Sequence, residues 1–212
     1  MSSFQNRPMT ERQSTVALLL MVLLLGVLTV LVWQGDTEGF DQALRNAALK
    51  ANSPISVRVW EGISFFGSVA VITSLTFAGL AIFAVRKDWL AARALAMAML
   101  GAMVFDNGVK WLIQRPRAQE VYVGTMPTTF SYPSGHALFS FMFYLAMAAL
   151  ISHQSSHNSK TFVWCTAIVV VALVGTSRIF LGVHYGSDVL AGYLISGIWL
   201  IVLFKMQSKA WS

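Results

Sequence analysis

The sequence predicts an all-α, polytopic membrane protein in which six transmembrane helices form one bundle and a short amphipathic helix lies on the outer surface. Composition is the first reason: 56% of the 212 residues are hydrophobic and 11% are charged, whereas soluble domains carry about 25% charged residues. The second reason is that each apolar segment can cross a hydrocarbon core of about 30 Å at about 1.5 Å per residue. The six segments lie at roughly 15–34, 62–85, 89–113, 136–152, 161–181 and 187–206.

The first apolar run, from Thr15 to Trp33, follows a short polar N-terminus. It is longer than the usual core of a signal peptide, and no small-residue cleavage motif follows it cleanly. We therefore expect an uncleaved first span. No internal repeat, low-complexity tract or second domain is evident, so residues 1–212 are expected to form a single membrane domain, with the chemically important motifs in 110–188.

The long loop at 35–61 contains the stretch FDQALRNAALKA. Within it, Phe40, Leu44, Ala47 and Ala48 share one face at helical spacing. This pattern predicts a short amphipathic helix lying on the outer surface. Such a helix could gate the lateral entry of lipids, but the pattern fits a plain connecting helix better.

The basic residues indicate how the bundle is oriented, because an even number of spans places both termini on one side. The terminal side would hold Arg7, Arg12, Arg86, Lys87, Arg93, Lys160, Lys205 and Lys209, and the opposite side Arg45, Lys50, Arg58, Lys110, Arg115, Arg117 and Arg178. The count is eight basic residues on the terminal side against seven on the other. It becomes eight against four when Lys110, Arg117 and Arg178 are set aside as functional charges. The positive-inside rule then predicts cytoplasmic termini.

The net charge of +6 does not indicate a nucleic-acid partner. The basic residues lie at the ends of apolar runs, where they determine membrane topology. The single cysteine, Cys165, lies inside an apolar run and leaves no partner for an intramolecular disulfide.

Three groups of polar residues interrupt or flank the spans: DNGVKWLIQRPR, PSGH and SRIFLGVHYGSD. About 40 residues separate His136 from Arg178, which is enough for two spans and a turn. The loop between Lys110 and His136 contains no crossing, so all three groups are expected on the face opposite the termini. A fourth group, His153 and His157, falls on the other face, where a solvated loop is favoured over a metal site.

The cations of the three groups could surround a phosphate. The guanidinium group of arginine forms a fixed fork that suits phosphate oxygens. Ser134 and Gly135 precede a helix, whose free N–H groups and positive dipole end favour an anion. The four cations are Lys110, Arg115, Arg117 and Arg178. For Arg115, an interfacial position that reaches lipid head groups is an equal alternative.

Two histidines and one aspartate supply the remaining chemistry. His136 and His184 suit nucleophilic and general-acid roles. Asp188 follows His184 by four positions, and a carboxylate on one ring nitrogen would leave the other free to attack. Asp106 is one turn before Lys110 and could pair with it. With no carboxylate cluster for a metal, the cations would stabilise the phosphoryl oxygens, and phosphoryl transfer through a phosphohistidine is the predicted chemistry.

These motifs resemble those of the type 2 phosphatidic acid phosphatase superfamily, membrane lipid phosphatases related to vanadium haloperoxidases. The family motif Pro-Ser-Gly-His stands at 133–136, and Ser-Arg-x5-His-x3-Asp begins at Ser177 with both spacings kept. The motif Lys-x6-Arg-Pro is present as Lys110 and Arg117, with Ala118 in place of the proline. Since Lys110 and Arg117 keep the family spacing, Arg117 is preferred to Arg115 as the phosphate ligand.

The resemblance implies a role for each residue. His184 would be the nucleophile, Asp188 would orient it, and His136 would protonate the leaving oxygen. The resemblance implies no metal or other cofactor. The phosphate cradle would consist of Lys110, Arg117, Ser134, Gly135 and Arg178.

The resemblance also implies a substrate class and a location. The candidates are undecaprenyl diphosphate, placed first, phosphatidylglycerol phosphate, phosphatidic acid and a diacylglycerol diphosphate. The expected partners are the lipid substrate and the bilayer, without nucleic acid, and the oligomeric state is left open. We expect a bacterial inner (plasma) membrane, with the active site on the periplasmic or extracellular side.

Two other functions are compatible with the motifs. A phosphotransferase would use the same phosphohistidine but would pass the phosphoryl group to a second lipid. A non-enzymatic channel or transporter with an anion site would place polar residues deep within several spans. Here the ionisable residues gather near one surface, which favours a head-group site.

Overall fold

The structure is a computed structural model that describes residues 11–117, 128–152 and 157–211, without the side chains of 157 and 208–211. Its described part is built of helices: α1 (Glu11–Gln34), α2 (Glu38–Ala51), α3 (Pro54–Phe65), α4 (Val69–Val85), α5 (Trp89–Ile113), α6 (Gly135–Ser152), α7 (His157–Phe180) and α8 (Gly186–Trp211). Six spans are long and apolar enough to cross a membrane, with α3 and α4 together forming the second. The predicted six-span, all-α architecture is confirmed.

The second span begins earlier than hydropathy indicated and consists of two helices. Ser53 and Ser56 form a capping box, and Pro54 occupies the first turn, so α3 starts eight residues before the predicted boundary at 62. Its polar residues Arg58 and Glu61 hide it from a search for apolar runs. Ser68 starts α4 by accepting a 3.3 Å hydrogen bond from the Val71 nitrogen.

The break between α3 and α4 is also a point of close packing. A Cβ added to Gly67 would collide with the Val174 side chain of α7 and lie 3.4 Å from the His136 ring. Glycine at 67 therefore allows this turn to lie close against Val174 of α7.

Helix α2 is the predicted amphipathic helix, but its inward face differs slightly from the expected one. Asp41 and Ala48 are buried and Leu44 is half-buried, whereas Ala47 is exposed. Phe40 is 47% exposed, although its ring still lies near Gly186 at the start of α8. An acidic residue thus lies on the buried face, where apolar patterning alone would not place one.

Helix α6 lies at the centre of the bundle and packs against α5, α7 and α8. Its Leu138 and Met142 are fully buried, in a cluster with small residues of α5 such as Ala98 and Ala102. Small side chains allow helices in a membrane to approach closely and gain dispersion energy. The central helix is therefore held on three sides.

Helices α1 and α8 run antiparallel, which locates the two ends of the bundle. At one end the Lys205 ammonium group donates to the Thr15 hydroxyl over 2.6 Å. At the other end the hydroxyl groups of Thr29 and Tyr132 are 2.8 Å apart. We call this second end, where α6 and α8 begin, the motif end.

Candidate active site

The loop before α6 is fastened directly to the start of α8. The Ser134 nitrogen donates to the Asp188 carbonyl oxygen over 3.0 Å. On α8, a Cβ added to Gly192 would lie 3.0 Å from the Ser134 carbonyl oxygen and 3.1 Å from the Leu138 nitrogen. Glycine at 192 therefore lets the two helix starts lie side by side, and this brings the PSGH and His-x3-Asp motifs together.

His184 and Asp188 form a buried pair. His184 lies in the turn between α7 and α8, and its Nδ1 is 3.4 Å from Oδ2 of Asp188. The same oxygen accepts hydrogen bonds from the Ser131 hydroxyl (2.5 Å) and the Tyr185 nitrogen (3.0 Å). A carboxylate can only accept, so we assign the proton of neutral His184 to Nδ1, which leaves Nε2 unprotonated and carrying a lone pair.

The protonation state of His184 suits a nucleophile. Burial lowers the pKa of His184 to about 4, although the hydrogen bond to Asp188 acts in the opposite direction. The imidazole is therefore neutral at physiological pH, and its Nε2 is available for attack.

Arg117 lies beside the Nε2 atom of His184. Its Nη1 is 3.3 Å from His184 Nε2 and donates to the Val183 carbonyl oxygen over 2.7 Å. Its Nε donates to the Thr129 carbonyl oxygen over 2.7 Å. These backbone contacts hold the guanidinium group beside the His184 ring.

Two predicted site residues each have a buried side-chain polar atom without a hydrogen-bond partner within the described part of the chain: Arg178 Nε and Ser134 Oγ. The Nη1 group of Arg178 donates to the Ser64 hydroxyl of α3, which anchors the side chain. Buried polar groups are nearly always satisfied, and an unpaired one costs free energy. Each of these atoms could therefore bind an oxygen atom of a ligand.

Lys110 and Gly135 meet at the start of α6. Lys110 forms an ion pair with Asp106, as the helical spacing predicts. A Cβ added to Gly135 would lie 3.0 Å from Asp106 Oδ1 and 3.4 Å from Lys110 Nζ. Glycine thus admits this ion pair to the helix start.

His136 follows in the first turn of α6. The charged or titratable side chains that act on it electrostatically are Arg178, His184, Lys110 and Arg117. The structure therefore collects all eight predicted site residues at the motif end: Lys110, Arg117, Ser134, Gly135, His136, Arg178, His184 and Asp188.

The environment of Arg115 matches neither of the two positions considered for it, in contact with phosphate or at the membrane interface. Its Nη1 donates to Asp188 Oδ1 over 2.7 Å, and its Nη2 donates to Asp41 Oδ2 over 2.8 Å. The guanidinium group stacks on the Tyr185 ring at 4.1 Å. With its side chain only 12% exposed, Arg115 is committed to two carboxylates behind the site.

Asp41 and Ser131 are among the residues of this region that sequence reasoning missed. Asp41 is 3% exposed and Ser131 is fully buried. The signal for Asp41 was an acidic residue between Phe40 and Leu44 on the apolar side of an amphipathic helix. Ser131 opens the stretch SYPSGH, whose later residues drew the functional interpretation.

The two histidines considered for a metal site on the other face have no described side chain. His153 lies outside the described residues, as does the side chain of His157. Within the described ranges, no group of three or more His, Cys, Asp or Glu residues is placed to hold a metal ion.

A six-span bundle with a buried imidazole–carboxylate pair facing arginines defines an integral membrane phosphatase. The chain belongs to the PAP2 superfamily, whose family model matches residues 91–212. The family and the enzyme class predicted from the motifs are thereby confirmed.

Two curated relatives are similar in sequence. The phosphatidylglycerophosphatase B of Bacillus subtilis is 30% identical over 185 residues, which cover 84% of this chain and 88% of the relative. The undecaprenyl-diphosphatase of Sulfolobus acidocaldarius is 39% identical over 77 residues, which cover 36% of this chain and 33% of the relative.

Two solved structures share the fold. The transmembrane PAP2-type phosphatidylglycerolphosphate phosphatase of Bacillus subtilis superposes with a TM-score of 0.83 and 25% identity, covering 91% of this chain and 96% of that one. Aquifex aeolicus LpxE gives a TM-score of 0.60 at 24% identity, covering 78% and 95%, and shows the fold alone.

Proposed function

We propose that this protein hydrolyses the terminal phosphate of a membrane lipid at the motif end, through a phosphohistidine on His184. One observation carries the proposal: the unprotonated Nε2 of His184 lies 3.3 Å from Arg117 Nη1, while its Nδ1 lies 3.4 Å from Oδ2 of the buried Asp188 carboxylate. A neutral imidazole beside a fixed guanidinium group can attack a phosphorus atom whose oxygens the guanidinium group binds.

In the first step, the Nε2 lone pair of His184 forms a bond to phosphorus. The bond between phosphorus and the lipid oxygen breaks, and its electron pair leaves with that oxygen. Asp188 accepts the Nδ1 hydrogen bond and stabilises the positive imidazole ring that results. The unpaired Arg178 Nε and Ser134 Oγ are available to the phosphoryl oxygens.

His136 supplies the proton in this scheme. As the general acid, it protonates the leaving oxygen, which is an alcohol oxygen for a monophosphate and a phosphate oxygen for a diphosphate. In the second step, neutral His136 takes a proton from water, the hydroxide attacks phosphorus, and the phosphorus–nitrogen bond breaks. Inorganic phosphate leaves and both histidines return to their starting states.

The substrate head group would reach the site from the membrane surface while its tail stays in the bilayer. We propose a bacterial inner membrane with cytoplasmic termini and the motif end outside, supported by the charge distribution of the loops. No nucleic acid, metal or other cofactor has a part in this scheme, and the 1–212 chain acts as one domain.

The relatives suggest which lipids to test first. The relative that matches most of this chain is named a phosphatidylglycerophosphatase, and the one with the shorter match an undecaprenyl-diphosphatase. Phosphatidylglycerol phosphate is therefore our first candidate and undecaprenyl diphosphate the second, which reverses the order expected from the motifs. Family membership also favours an enzyme over a non-enzymatic transporter.

The test is phosphate release by purified protein in detergent micelles with EDTA present. The panel contains phosphatidylglycerol phosphate, undecaprenyl diphosphate and phosphatidic acid, and His184→Ala is expected to lose release by about 10⁴-fold or more. The control is His157→Ala, since His157 begins α7 while Arg178 is in its last turn, roughly 30 Å away along the helix.

Two results would contradict the proposal: no release from any lipid by the wild type, or equal rates in wild type and His184→Ala. With labelled phosphate, a second labelled lipid in place of free phosphate would indicate a phosphotransferase. Inhibition by vanadate, which mimics a five-coordinate phosphoryl centre, is expected for the wild type.

A further inference from the structure

Asp41 is the one acidic side chain of α2 that is buried in the bundle. It is 3% exposed, and its Oδ1 accepts a 2.9 Å hydrogen bond from the Ser187 nitrogen. Its Oδ2 accepts from the Ser187 hydroxyl over 2.6 Å and from Arg115 Nη2 over 2.8 Å. The carboxylate is therefore fully engaged with α8 and with the segment after α5.

Arg115 connects Asp41 to the proposed catalytic pair. One terminal nitrogen of its guanidinium group donates to Asp41 and the other to Asp188. Ser187 closes the connection, since its hydroxyl oxygen also accepts from Arg115 Nη1 over 2.7 Å. Because guanidinium nitrogens have a fixed planar geometry, holding one side of the fork sets the position of the other.

The charges of this cluster matter as much as its geometry. Two carboxylates and one guanidinium group carry a net charge of −1. Without Asp41, Arg115 would balance the charge of Asp188 completely. With Asp41 present, the cluster keeps a net negative charge on the Asp188 side of His184, where the proposed mechanism creates a positive imidazole ring.

We infer that Asp41 is a positioning residue for catalysis, which through Arg115 and Ser187 holds the Asp188 carboxylate against His184 and keeps its negative charge effective there. The inference rests on the proposed function, because it assigns Asp41 a part in the same reaction. Asp41 does not touch His184. Helix α2 would thereby contribute to catalysis in addition to connecting spans one and two.

The other charged groups around His184 act alongside this cluster. Asp188 faces it from α8, Arg117 from the segment after α5, Arg178 from α7 and His136 from α6. Within the described part of the chain, Asp41 is hydrogen-bonded to Arg115 and Ser187 and to none of these four groups directly. A change in His184 titration on removing Asp41 would therefore report the charge of the cluster behind Asp188.

The experiment compares Asp41→Asn with Glu38→Gln. Glu38 is an exposed carboxylate one turn earlier on the same helix, so the control removes an equal charge from the same helix end. Phosphate release is measured with phosphatidylglycerol phosphate and undecaprenyl diphosphate. In parallel, the ring nitrogens of His184 are titrated by NMR in histidine-labelled protein, with the resonance assigned by its loss in His184→Gln.

For Asp41→Asn we expect kcat to fall about 10- to 100-fold with KM nearly unchanged, as for loss of a group that orients a catalytic residue. The His184 titration is expected to move to lower pH by about 0.5 to 1 unit, because the charged ring loses a stabilising negative charge. Glu38→Gln should behave as wild type in both measurements.

Asp41→Glu separates position from charge and serves if Asp41→Asn does not fold. It keeps the negative charge, so His184 should titrate as in wild type. Its longer side chain displaces the carboxylate from Ser187 and Arg115, so kcat is still expected to fall. Wild-type kcat in Asp41→Glu, or wild-type kcat and titration in a folded Asp41→Asn, would overturn the inference.

The two proposals can fail separately. Absence of phosphate release by both wild type and Glu38→Gln would count against the lipid phosphatase function. The NMR titration needs no substrate, so it would still decide whether Asp41 acts on His184.

Discussion

The two sides of the His184–Asp188 pair differ in how well their polar groups are satisfied. Behind Asp188, the side chains of Arg115, Asp41 and Ser131 are joined by hydrogen bonds of 2.5 to 2.8 Å. In front of His184, Arg178 Nε and Ser134 Oγ are buried without a partner in the described ranges. A satisfied network fixes a geometry, whereas unsatisfied donors are suited to receive a ligand. We expect substitutions behind the pair to affect mainly kcat, and those in front to affect both kcat and KM.

The largest of the three effects is expected for Asp188→Asn. The amide keeps the shape of the side chain but removes the charge that stabilises the imidazole ring and can favour the wrong tautomer. By analogy with the corresponding change in a serine protease triad, kcat should fall about 10³- to 10⁴-fold. Phosphate release under saturating lipid is the measurement. The exposed Asp36→Asn at the same end of the bundle is the control, and a loss in kcat below tenfold would mean that Asp188 does not support the nucleophile.

A smaller effect is expected for Arg178→Lys in front of the pair. Lysine keeps the positive charge but loses the Nε donor and the planar fork. Removing one donor to a developing oxyanion costs about 10²- to 10³-fold in rate, and we expect KM to rise as well. Arg86→Lys, at an exposed arginine that follows α4, is the matched control. If only the free energy of unfolding changed and kcat and KM did not, Arg178 would be structural.

The smallest effect is expected for Gly192→Ala, which would push the start of α6 away from α8. The new Cβ would lie 3.0 Å from the Ser134 carbonyl oxygen, and such overpacking costs about 1 to 3 kcal/mol. We expect lower thermal stability in micelles and a several-fold loss of kcat. Gly108→Ala is the control, because its Cβ would meet no atom within 4 Å and alanine favours a helix by about 0.5 to 1 kcal/mol. Equal stability of the two variants would contradict the close packing of these helix starts.

The sequence was sufficient for those features that depend on length and spacing along one helix. Spans could be counted because the hydrocarbon core requires long apolar runs. The pairing of Lys110 with Asp106 follows from a separation of four residues along α5. His184 and Asp188 pair at the same separation, although His184 lies in the turn before α8. The convergence of the motif residues followed from counting crossings between His136 and Arg178.

Features that depend on tertiary contacts could not be predicted in this way. Arg115 and Arg117 are two residues apart and chemically identical, yet Arg115 turns to Asp41 and Asp188 while Arg117 turns to His184. The family spacing from Lys110 favoured Arg117 as the phosphate ligand, but it did not indicate that Arg115 would bind Asp41, because that contact depends on where α2 docks. The early start of α3 was missed because Arg58 and Glu61 lower its apolar character, although Ser53 and Pro54 mark a helix start.

The end of α7, the turn after it and the start of α8 carry Arg178, His184 and Asp188 within eleven consecutive residues. Proteins are synthesised from the N-terminus, so these three residues emerge after the spans that would provide Lys110, Arg117 and His136. The nascent chain would therefore hold most of a phosphate cradle but no nucleophile until its last helical hairpin is inserted. Lipid hydrolysis would then begin only when the final span has entered the membrane, which makes activity a measure of completed insertion.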